Sequence, residues 1–358
     1  MTKYTRSMIL VYRYRVKNLT GLLNRQAHAV NYVWNFCNES QKSCIRLGKR
    51  WVTGFDLNKL TAGTSKEIGI HSGTINAVCE QYASSRRQKK RPSLRWRGRK
   101  SLGWIPFKGR DLKITENGFK FAGNAFRVFF SRPIPDEARV HDGSNFSRDA
   151  RGNWFLNVVL DFPDAPARPI HSSVGIDLGL KDFAVLSTGE KITNPRHLTK
   201  LAGKLAKAQR AHKKIQAANM HAHIKNARRD FHHKLSTRLV KQFDQIAIGN
   251  VSSVKLAKTN MAKSVLDAGW SSFRNMLRYK AIGHGAMFEE VNESFSTQTC
   301  SCCGSIATGG PKGLEGLVIR HWNCSACGVS LDRDHNAALN ILHVGLGHQA
   351  LAEGIPAL

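Results

Sequence analysis

The first half of the chain changes its hydrophobic period several times. Residues 10–16 alternate between apolar and mostly basic positions, which predicts a strand. Apolar residues recur every three or four positions over residues 23–47 and 71–90, and this period predicts two helices. Short apolar runs separated by Gly, Asn and Pro follow over residues 104–130 and 154–160. We therefore predict a small antiparallel barrel or sheet, which the first strand joins, with a helical insertion.

The second half alternates strands and helices. Predicted strands cover residues 174–180, 183–187, 244–251 and 286–293, and predicted helices cover residues 196–243, 267–279 and 334–346. The first of these strands carries a single acid, Asp177. This order of elements is typical of RNase H-like nucleases, in which carboxylates meet at one end of the sheet and hold two Mg²⁺ ions.

The charge of the chain points to a polyanionic partner. Lys and Arg number 55 against 25 Asp and Glu, and the hydrophobic fraction of 41% is sufficient for folded cores. Nucleic acid is the first interpretation and a membrane surface the alternative. We find no run near 18 apolar residues and no signal peptide at the start of the sequence, so we expect a cytoplasmic protein with no membrane partner.

Two basic segments are candidates for nucleic-acid contacts. Residues 86–100 hold nine basic residues and one tryptophan among fifteen, a mixture suited to phosphate contacts and base stacking. A second, helical segment between Glu190 and Asp230 contains no acid. The alternative for the first segment is an ordinary solvated run of charge. The candidate residues are Arg86, Arg87, Lys89, Lys90, Arg91, Arg95, Trp96, Arg97, Arg99, Lys204, Lys207, Arg210 and Lys214.

Two Cys-x-x-Cys-Gly motifs predict a structural zinc site. Cys300, Cys303, Cys324 and Cys327 supply four thiolates, enough to close a tetrahedron around one Zn²⁺ without leaving a position open for water. Cys302 is a competing ligand, but the pair chosen here reproduces the spacing of the second motif. We expect the other four cysteines to be free thiols, because a cytoplasmic compartment is reducing.

Three stretches of the sequence resemble the TnpB family of transposon-encoded, RNA-guided DNA endonucleases. These are GIDLGLKDFA from residue 175, the two cysteine motifs, and LDRDHNAALNIL from residue 331. YRYRV and RWRGRK resemble the first half of these proteins more loosely. The resemblance implies that Asp177 and Asp334 are catalytic carboxylates that bind Mg²⁺. It leaves Asp332 as a helix cap.

The family resemblance also implies a domain organisation. Residues 1–17 and 101–165 would form an oligonucleotide-binding-like wedge barrel, and residues 18–100 a helical recognition insertion. An RNase H-like, RuvC-like nuclease domain would comprise residues 170–295 and 329–347, interrupted by a zinc ribbon over residues 296–328. Residues 348–358 would be a tail. The implied partners are a guide RNA derived from the transposon end and a target DNA.

One position departs from the family pattern. Gly249 stands at the end of a strand where the family usually has a catalytic Glu, and glycine cannot bind a metal. The strand ending at Gly249 should lie about 4.8 Å from the strand 286–293, so a long side chain could span the gap. We predict that Glu293 replaces the missing ligand, whereas Glu290 points to the opposite face. Asp267 is a weaker candidate, better explained as a helix cap.

Three functions remain open at this point. The first is an Mg²⁺-dependent, RNA-guided endonuclease that cuts DNA beside a short target-adjacent motif. The second is a nuclease-inactive, RNA-guided DNA-binding repressor, because of Gly249. The third is a zinc-ribbon DNA-binding protein without RNA, which explains the charge but gives Asp177 and Asp334 no role.

Overall fold

The computed structural model describes residues 7–136, 138–256, 258–306, 311 and 315–347. The chain divides into two compact units, residues 1–163 and residues 164–358. No described helix has both the length and the hydropathy that crossing a bilayer would require. The predicted tail, residues 348–358, lies outside the described residues, as do residues 1–6 of the predicted barrel.

The first unit combines a large antiparallel sheet with four helices. Its strands are β1 Ser7–Val16, β2 Trp104–Pro106, β3 Leu112–Thr115, β4 Gly118–Phe121, β5 Asn124–Phe129, β6 Arg139–Val140, β7 Asn145–Arg148 and β8 Trp154–Pro163. Its helices are α1 Thr20–Arg46, α2 Gly54–Leu60, α3 Ser65–Ile68 and α4 Ser72–Gln88. All four helices lie between β1 and β2 in sequence, where the helical insertion was predicted.

The sheet of this unit has the order β2-β7-β8-β1-β5-β4-β3, with β6 also paired to β8. The first strand pairs with β8 along nearly its whole length, as its alternating pattern predicted. Its side chain Tyr14 is fully buried, together with Phe126 and Phe146. Within the described residues β2 and β3 do not pair with each other, so the sheet is open and the predicted closed barrel is not confirmed.

The second unit contains a five-stranded mixed sheet and a small two-stranded one. Its strands are β9 Ser173–Leu178, β10 Asp182–Leu186, β11 Lys191–Thr193, β12 Gln245–Gly249, β13 Met287–Val291, β14 His321–Asn323 and β15 Ser330–Asp332. Its helices are α5 His197–Arg210, α6 Lys214–Gln242, α7 Ser253–Leu256, α8 Ala262–Ala268, α9 Trp270–Gly283 and α10 Arg333–Gly345. The coarse prediction of a mixed α/β part beside an all-β sheet is therefore confirmed.

The five-stranded sheet has the order β11-β10-β9-β12-β13. β10 is antiparallel to both of its neighbours, whereas β9, β12 and β13 run parallel. β12, which lies between β9 and β13, is buried along its whole length, in keeping with its largely apolar sequence. α10 packs against β9 and β12. The carboxyl ends of the three parallel strands and the start of α10 therefore belong to one region.

Candidate active site

The three predicted carboxylates come from three separate elements of the second unit. Asp177 is the penultimate residue of β9, and Asp334 lies in the first turn of α10. The predicted strand carrying Glu293 is shorter than expected, because β13 ends at Val291 and Glu293 follows two residues later. All three side chains are partly buried. Parallel pairing of β9 and β13 to opposite edges of β12 brings their carboxyl ends to the same edge of the sheet.

The carboxylates are close enough to repel one another. Burial raises the pKa of Asp177 well above its ordinary value, and the negative charges of Asp334 and Glu293 raise it further. Burial also raises the pKa of Glu293, against the opposing charge of Arg274 and a hydrogen bond from the Val251 amide. A bound cation would reduce the repulsion between these acids.

Glu293 occupies the space beside Gly249. A Cβ atom built on Gly249 would lie 2.5 Å from Oε2 of Glu293 and 3.3 Å from its Cβ, closer than such atoms approach. The Glu293 side chain therefore lies over the end of β12, where the family's usual Glu would start. Glu290 instead forms ion pairs with Arg274 and Arg278 of α9. Because β13 ends before Glu293, the strand period does not decide whether the two acids lie on opposite faces, and that placement stays a prediction.

Two arginines hold Asp334. Nη1 of Arg320 lies 2.9 Å from Oδ2 of Asp334, and Nε of Arg333 lies 2.8 Å from Oδ1. Asp332 accepts hydrogen bonds from the amides of Asp334 and His335, at 3.1 and 3.0 Å, which confirms its assignment as a helix cap. Sequence reasoning missed Arg320, because no local spacing links it to the acid that it binds.

A cavity of about 410 Å³ opens beside two of the three carboxylates. Asp177 and Asp334 line it together with Arg320, Arg333 and Trp270. Glu293 is not part of this lining, and it acts on Asp177 through its charge. Carboxylate oxygens are the ligands that Mg²⁺ prefers, and the arginines suit a phosphate, so the donor set fits a metal-dependent site for a phosphodiester.

Asp267 does not cap its own helix, contrary to the sequence-based interpretation. It lies near the end of α8, and the helix that follows begins at Trp270. Its side chain is buried, and its Oδ2 accepts a hydrogen bond of 2.9 Å from the amide of Leu198 in the first turn of α5. An ion pair with Arg228 at 3.7 Å completes its contacts. Asp267 therefore joins α8 to α5 and lies apart from the three carboxylates.

The four predicted zinc ligands converge. The sulfur atoms of Cys300, Cys303, Cys324 and Cys327 all lie within 4.8 Å of one another, and two of the pairs are 3.7 and 3.6 Å apart. Tetrahedral ligands with Zn–S bonds of about 2.3 Å stand about 3.8 Å apart, so the group fits one zinc ion. Cys302 is exposed and is not part of this group.

The two cysteine motifs have the same local geometry. The amides of Gly304 and Gly328 donate to the carbonyl oxygens of Cys300 and Cys324, and both glycines adopt positive φ angles of 77° and 76°. Glycine is the residue that adopts this conformation without strain, which explains its place after each pair. Hydrogen bonds to Ser305 lower the pKa of Cys303 to about 6, which favours the thiolate form that binds metal.

Helix α1 fixes the first basic segment in place. The side-chain amide of Asn38 exchanges two hydrogen bonds with the backbone of Leu94, at 2.9 and 3.0 Å. Asn35 does the same with Arg97, at 2.8 and 2.9 Å. Trp96 lies between these anchors, is 44% exposed, and has the ammonium group of Lys42 over its ring at 4.5 Å. The segment is thus an ordered strap that presents an aromatic ring.

Two arginines of this segment have internal roles instead. Arg86 is only 4% exposed, donates to the carbonyl of Val52 and lies over Trp51, so its predicted contact with nucleic acid is wrong in this structure. Arg97 is partly buried, bonds Asn31 at 2.6 Å and lies between two tryptophan rings. Burial lowers the pKa of both guanidinium groups. The sequence pattern could not separate these two from their exposed neighbours.

The other predicted nucleic-acid contacts are exposed. In the strap these are Arg87, Lys89, Lys90, Arg91, Arg95 and Arg99, and on α5 and α6 they are Lys204, Lys207, Arg210 and Lys214. Their accessibility is consistent with the prediction, and their role stays a prediction.

Two family models match parts of this chain. A model described as "Cas12f1-like, TNB domain" matches residues 270–341, which contain Glu293, the cysteines and Asp334. A model described as "Probable transposase", of the OrfB_IS605 type, matches residues 157–260, which contain Asp177 and Gly249. Both models therefore fall on the stretches that carry the candidate site.

Several curated proteins are similar to the chain. A Streptomyces pristinaespiralis protein named "Putative RNA-guided DNA endonuclease" is 38% identical over 244 residues, covering 64% of this chain and 58% of its own length. The "TnpB-like protein L770" of Acanthamoeba polyphaga mimivirus is 30% identical over 275 residues, covering 68% and 51% respectively. The chain thus spans little more than half the length of these relatives.

A solved structure is also similar. It is described as "Cryo-EM structure of the Cas12f1-sgRNA-target DNA complex". The TM-score is 0.40 and the sequence identity 14%, with coverage of 94% of this chain and 99% of that one.

Proposed function

We propose that this chain, whose resemblance to the TnpB family the comparisons confirm, is an RNA-guided DNA endonuclease. Its partners would be a guide RNA derived from a transposon end and a DNA target beside a short adjacent motif. The names of the relatives support this activity, and the formal charge of +30 supplies the attraction for two nucleic-acid strands. Its place would be the cytoplasm of a prokaryotic cell.

The two units would carry the domains that the family resemblance implies. The open antiparallel sheet would serve as the oligonucleotide-binding-like wedge, with the helices α1 to α4 as the recognition insertion. The mixed sheet would be the RuvC-like nuclease domain, for which the strand order and the single antiparallel strand give support. The four-cysteine segment would be its zinc ribbon.

The single observation that carries the proposal is that Asp177 and Asp334 line one cavity, with Glu293 near enough to Asp177 for its charge to raise the pKa of that acid. Asp177, Glu293 and Asp334 would hold Mg²⁺, which when bound activates water and stabilises the leaving 3′ oxygen of a phosphodiester. Asp177 contributes a carboxylate whose raised pKa reflects the repulsion that a cation would remove. Arg320 and Arg333 keep Asp334 oriented and bring positive charge to the cavity that would receive the phosphate.

A second function has an observation in its favour. Both oxygens of Asp334 are engaged by arginines, and Gly249 offers no ligand. A protein with these features could bind guide RNA and DNA and occupy its target without cutting it. This nuclease-inactive function and the endonuclease differ only in the chemistry that follows binding.

Cleavage of a matched target in Mg²⁺ is the decisive experiment. The protein is purified with the RNA that accompanies it, that RNA is sequenced, and a matched DNA with randomised flanks is offered. We expect the wild type to cut, and Glu293→Gln to lower the cleavage rate by roughly 10³-fold, the scale of losing one preorganised group at a reacting centre. Glu289→Gln is the matched control, since this acid of β13 is exposed.

Each alternative has its own outcome. A wild type that binds the matched DNA without cutting it would identify the inactive RNA-guided function. Purification without a discrete RNA would favour the plain zinc-ribbon DNA-binding protein. Equal cleavage by wild type and Glu293→Gln would remove Glu293 from the site while leaving the endonuclease intact.

A further inference from the structure

A second cavity of the same unit lies beside the candidate active site. Its volume is about 480 Å³, and Trp270 lines both cavities. The indole of Trp270 is 2% exposed, and its Nε1 has no hydrogen-bond partner among the described residues. The carboxylate cavity and this second cavity are therefore neighbours that share this side chain.

Cations dominate one wall of the second cavity. Lys225, Arg228 and Arg229 project from one face of α6, and none of the described residues that line the cavity is acidic. Arg228 is held by the carbonyl of Leu266 at 2.9 Å and pairs with Asp267, whereas Lys225 and Arg229 are exposed. Burial lowers the pKa of His232, also in the lining, to about 4, so His232 is neutral at pH 7.

Hydrogen-bond donors form the opposite wall. α9 has 14 residues and begins at Trp270, so its positive end lies at this cavity. The amides of Ser272 and Phe273 bond to the carbonyl of Gly269, which leaves those of Trp270 and Ser271 at the helix end. Ser271 and Ser272, both exposed, add hydroxyl groups to the lining. Ser271 is within 3.3 Å of the hydroxyl of Ser253, which also lines the cavity. Amides, hydroxyls and cations around one cavity form a site for a phosphate group.

We propose that this cavity binds a backbone phosphate of the single DNA strand that leads into the carboxylate site. The proposal rests on the proposed endonuclease function, because a strand held in the second cavity can continue past Trp270 to Asp177. A cavity with three cations and no acid selects a polyanion over a metal or an apolar ligand. The site positions the strand and does not touch the reacting atoms.

Binding of a fluorescent dT20 oligonucleotide to the RNA-loaded protein in Mg²⁺-free buffer tests the site. The double variant Lys225→Ala/Arg229→Ala should weaken binding several-fold and reduce the slope of log K against log salt by about 1.4, since each phosphate contact of a single strand contributes about 0.7. Lys234→Ala/Lys241→Ala removes the same charge from the same helix outside the cavity. This control should leave the slope within about 0.3 of the wild type.

A second variant separates binding from folding. Ser272→Asp places a carboxylate in the first turn of α9, which favours the helix but repels a phosphate. It should weaken binding of dT20 while the melting temperature stays equal or rises. Unchanged binding by both variants would overturn the proposal. Variants that lose the guide RNA but keep their affinity for dT20 would also overturn the proposal. That result would show that the cavity binds the guide RNA.

The cleavage assay distinguishes this failure from failure of the proposed function. If the wild type cuts matched DNA and the cavity variants bind and cut as it does, only the phosphate site is wrong. If the wild type does not cut at all, the endonuclease function is wrong, and the dT20 measurement still reports on the cavity.

Discussion

Two groups of candidate metal ligands lie within one unit of this chain and differ in how they are built. The four cysteines lie within 28 residues of sequence and depend on two short turns of identical geometry. The three carboxylates come from β9, from the residues after β13 and from α10, and only the pairing of a five-stranded sheet brings them together. A local motif can specify a structural metal site, whereas the candidate active site requires the whole fold.

The electrostatics of the two groups also differ. In the cysteine site, hydrogen bonds from Ser305 lower the pKa of Cys303, whereas the pKa values of Cys300 and Cys327 are raised by burial and by hydrogen bonds with the other thiols. In the carboxylate site, burial and neighbouring acids raise the pKa of Asp177 and disfavour its charged form. The first site holds four sulfur atoms at the spacing of one zinc ion, and the second stores repulsion that a cation relieves. Such stored repulsion is typical of sites whose stability is sacrificed for activity.

Removing a zinc ligand should have the largest effect. Cys300→Ser takes away a buried ligand, and structural zinc sites contribute roughly 10–16 kcal/mol to the folding of isolated zinc peptides. We expect loss of the bound zinc, unfolding of the ribbon and strongly reduced cleavage, because Glu293 and Asp334 flank the ribbon in sequence. Metal analysis and the cleavage assay measure both effects.

Cys302→Ser is the matched control for that experiment. Cys302 lies between two ligands, yet it is exposed and outside the four-sulfur group, so zinc content and cleavage should stay at the wild-type level. Full zinc content and activity in Cys300→Ser would show that the ribbon does not support the carboxylates. Loss of zinc with unchanged cleavage would show that the two sites are independent.

Removing a catalytic carboxylate should abolish activity and raise stability. Between the ordinary Asp pKa and the raised one, Asp177 is protonated in the folded chain and ionised in the unfolded chain. The free energy of unfolding therefore falls as pH rises through that range. Asp177→Asn removes this penalty. In Mg²⁺-free buffer at pH 7 we expect a melting temperature a few degrees higher than that of the wild type, and in Mg²⁺ a cleavage rate lower by about 10³-fold.

Asp244 should affect stability in the opposite direction, so its substitution serves as the contrasting variant. Its carboxylate accepts hydrogen bonds from the amides of His171 and Ser172, which lower its pKa. Its contribution to stability is present above the ordinary Asp pKa and is lost as pH falls through the lowered value. Asp244→Asn should therefore lower the melting temperature at pH 7. A lower melting temperature for Asp177→Asn as well would contradict the repulsion at the carboxylate site.

The sequence was sufficient for elements and motifs with a strong local signal. The alternating strand β1, the buried strand β12 and the helix carrying Phe273 and Leu277 follow from periodicity. The cysteine group follows from spacing, and the cap at Asp332 follows from its place before α10. In each case the physical cause lies within a few residues of the pattern.

The errors have a common cause in contacts between distant residues. Arg86 is buried because Trp51 and Val52 cover it, and no feature of the segment 86–100 shows this. Asp267 has a capping chemistry, but its partner is Leu198 on another helix. Arg320 reaches Asp334 from a different element. Sequence patterns identify which side chains carry charge. They do not show which of these side chains are buried and bonded to other residues of the protein.

The smallest expected effect concerns Gly249, where the sequence departs from the TnpB pattern that it resembles. Gly249→Ala would place a Cβ 2.5 Å from Oε2 of Glu293 and 3.2 Å from Cδ1 of Ile341. The carboxylate ends a flexible side chain and should move, and the crowding should cost about 1–2 kcal/mol of stability. The displaced carboxylate should lower cleavage by up to about 10²-fold, the cost of an ångström of misplacement. Gly203→Ala, in open space on α5, should leave cleavage unchanged and raise stability by up to about 1 kcal/mol, because alanine favours a helix more than glycine does. The double variant Gly249→Glu/Glu293→Ser returns the carboxylate to β12 and should cut better than Glu293→Ser alone. If it does not, Glu293 does not replace the Glu that the TnpB pattern has at position 249. The carboxylate could then not be moved between the two strands.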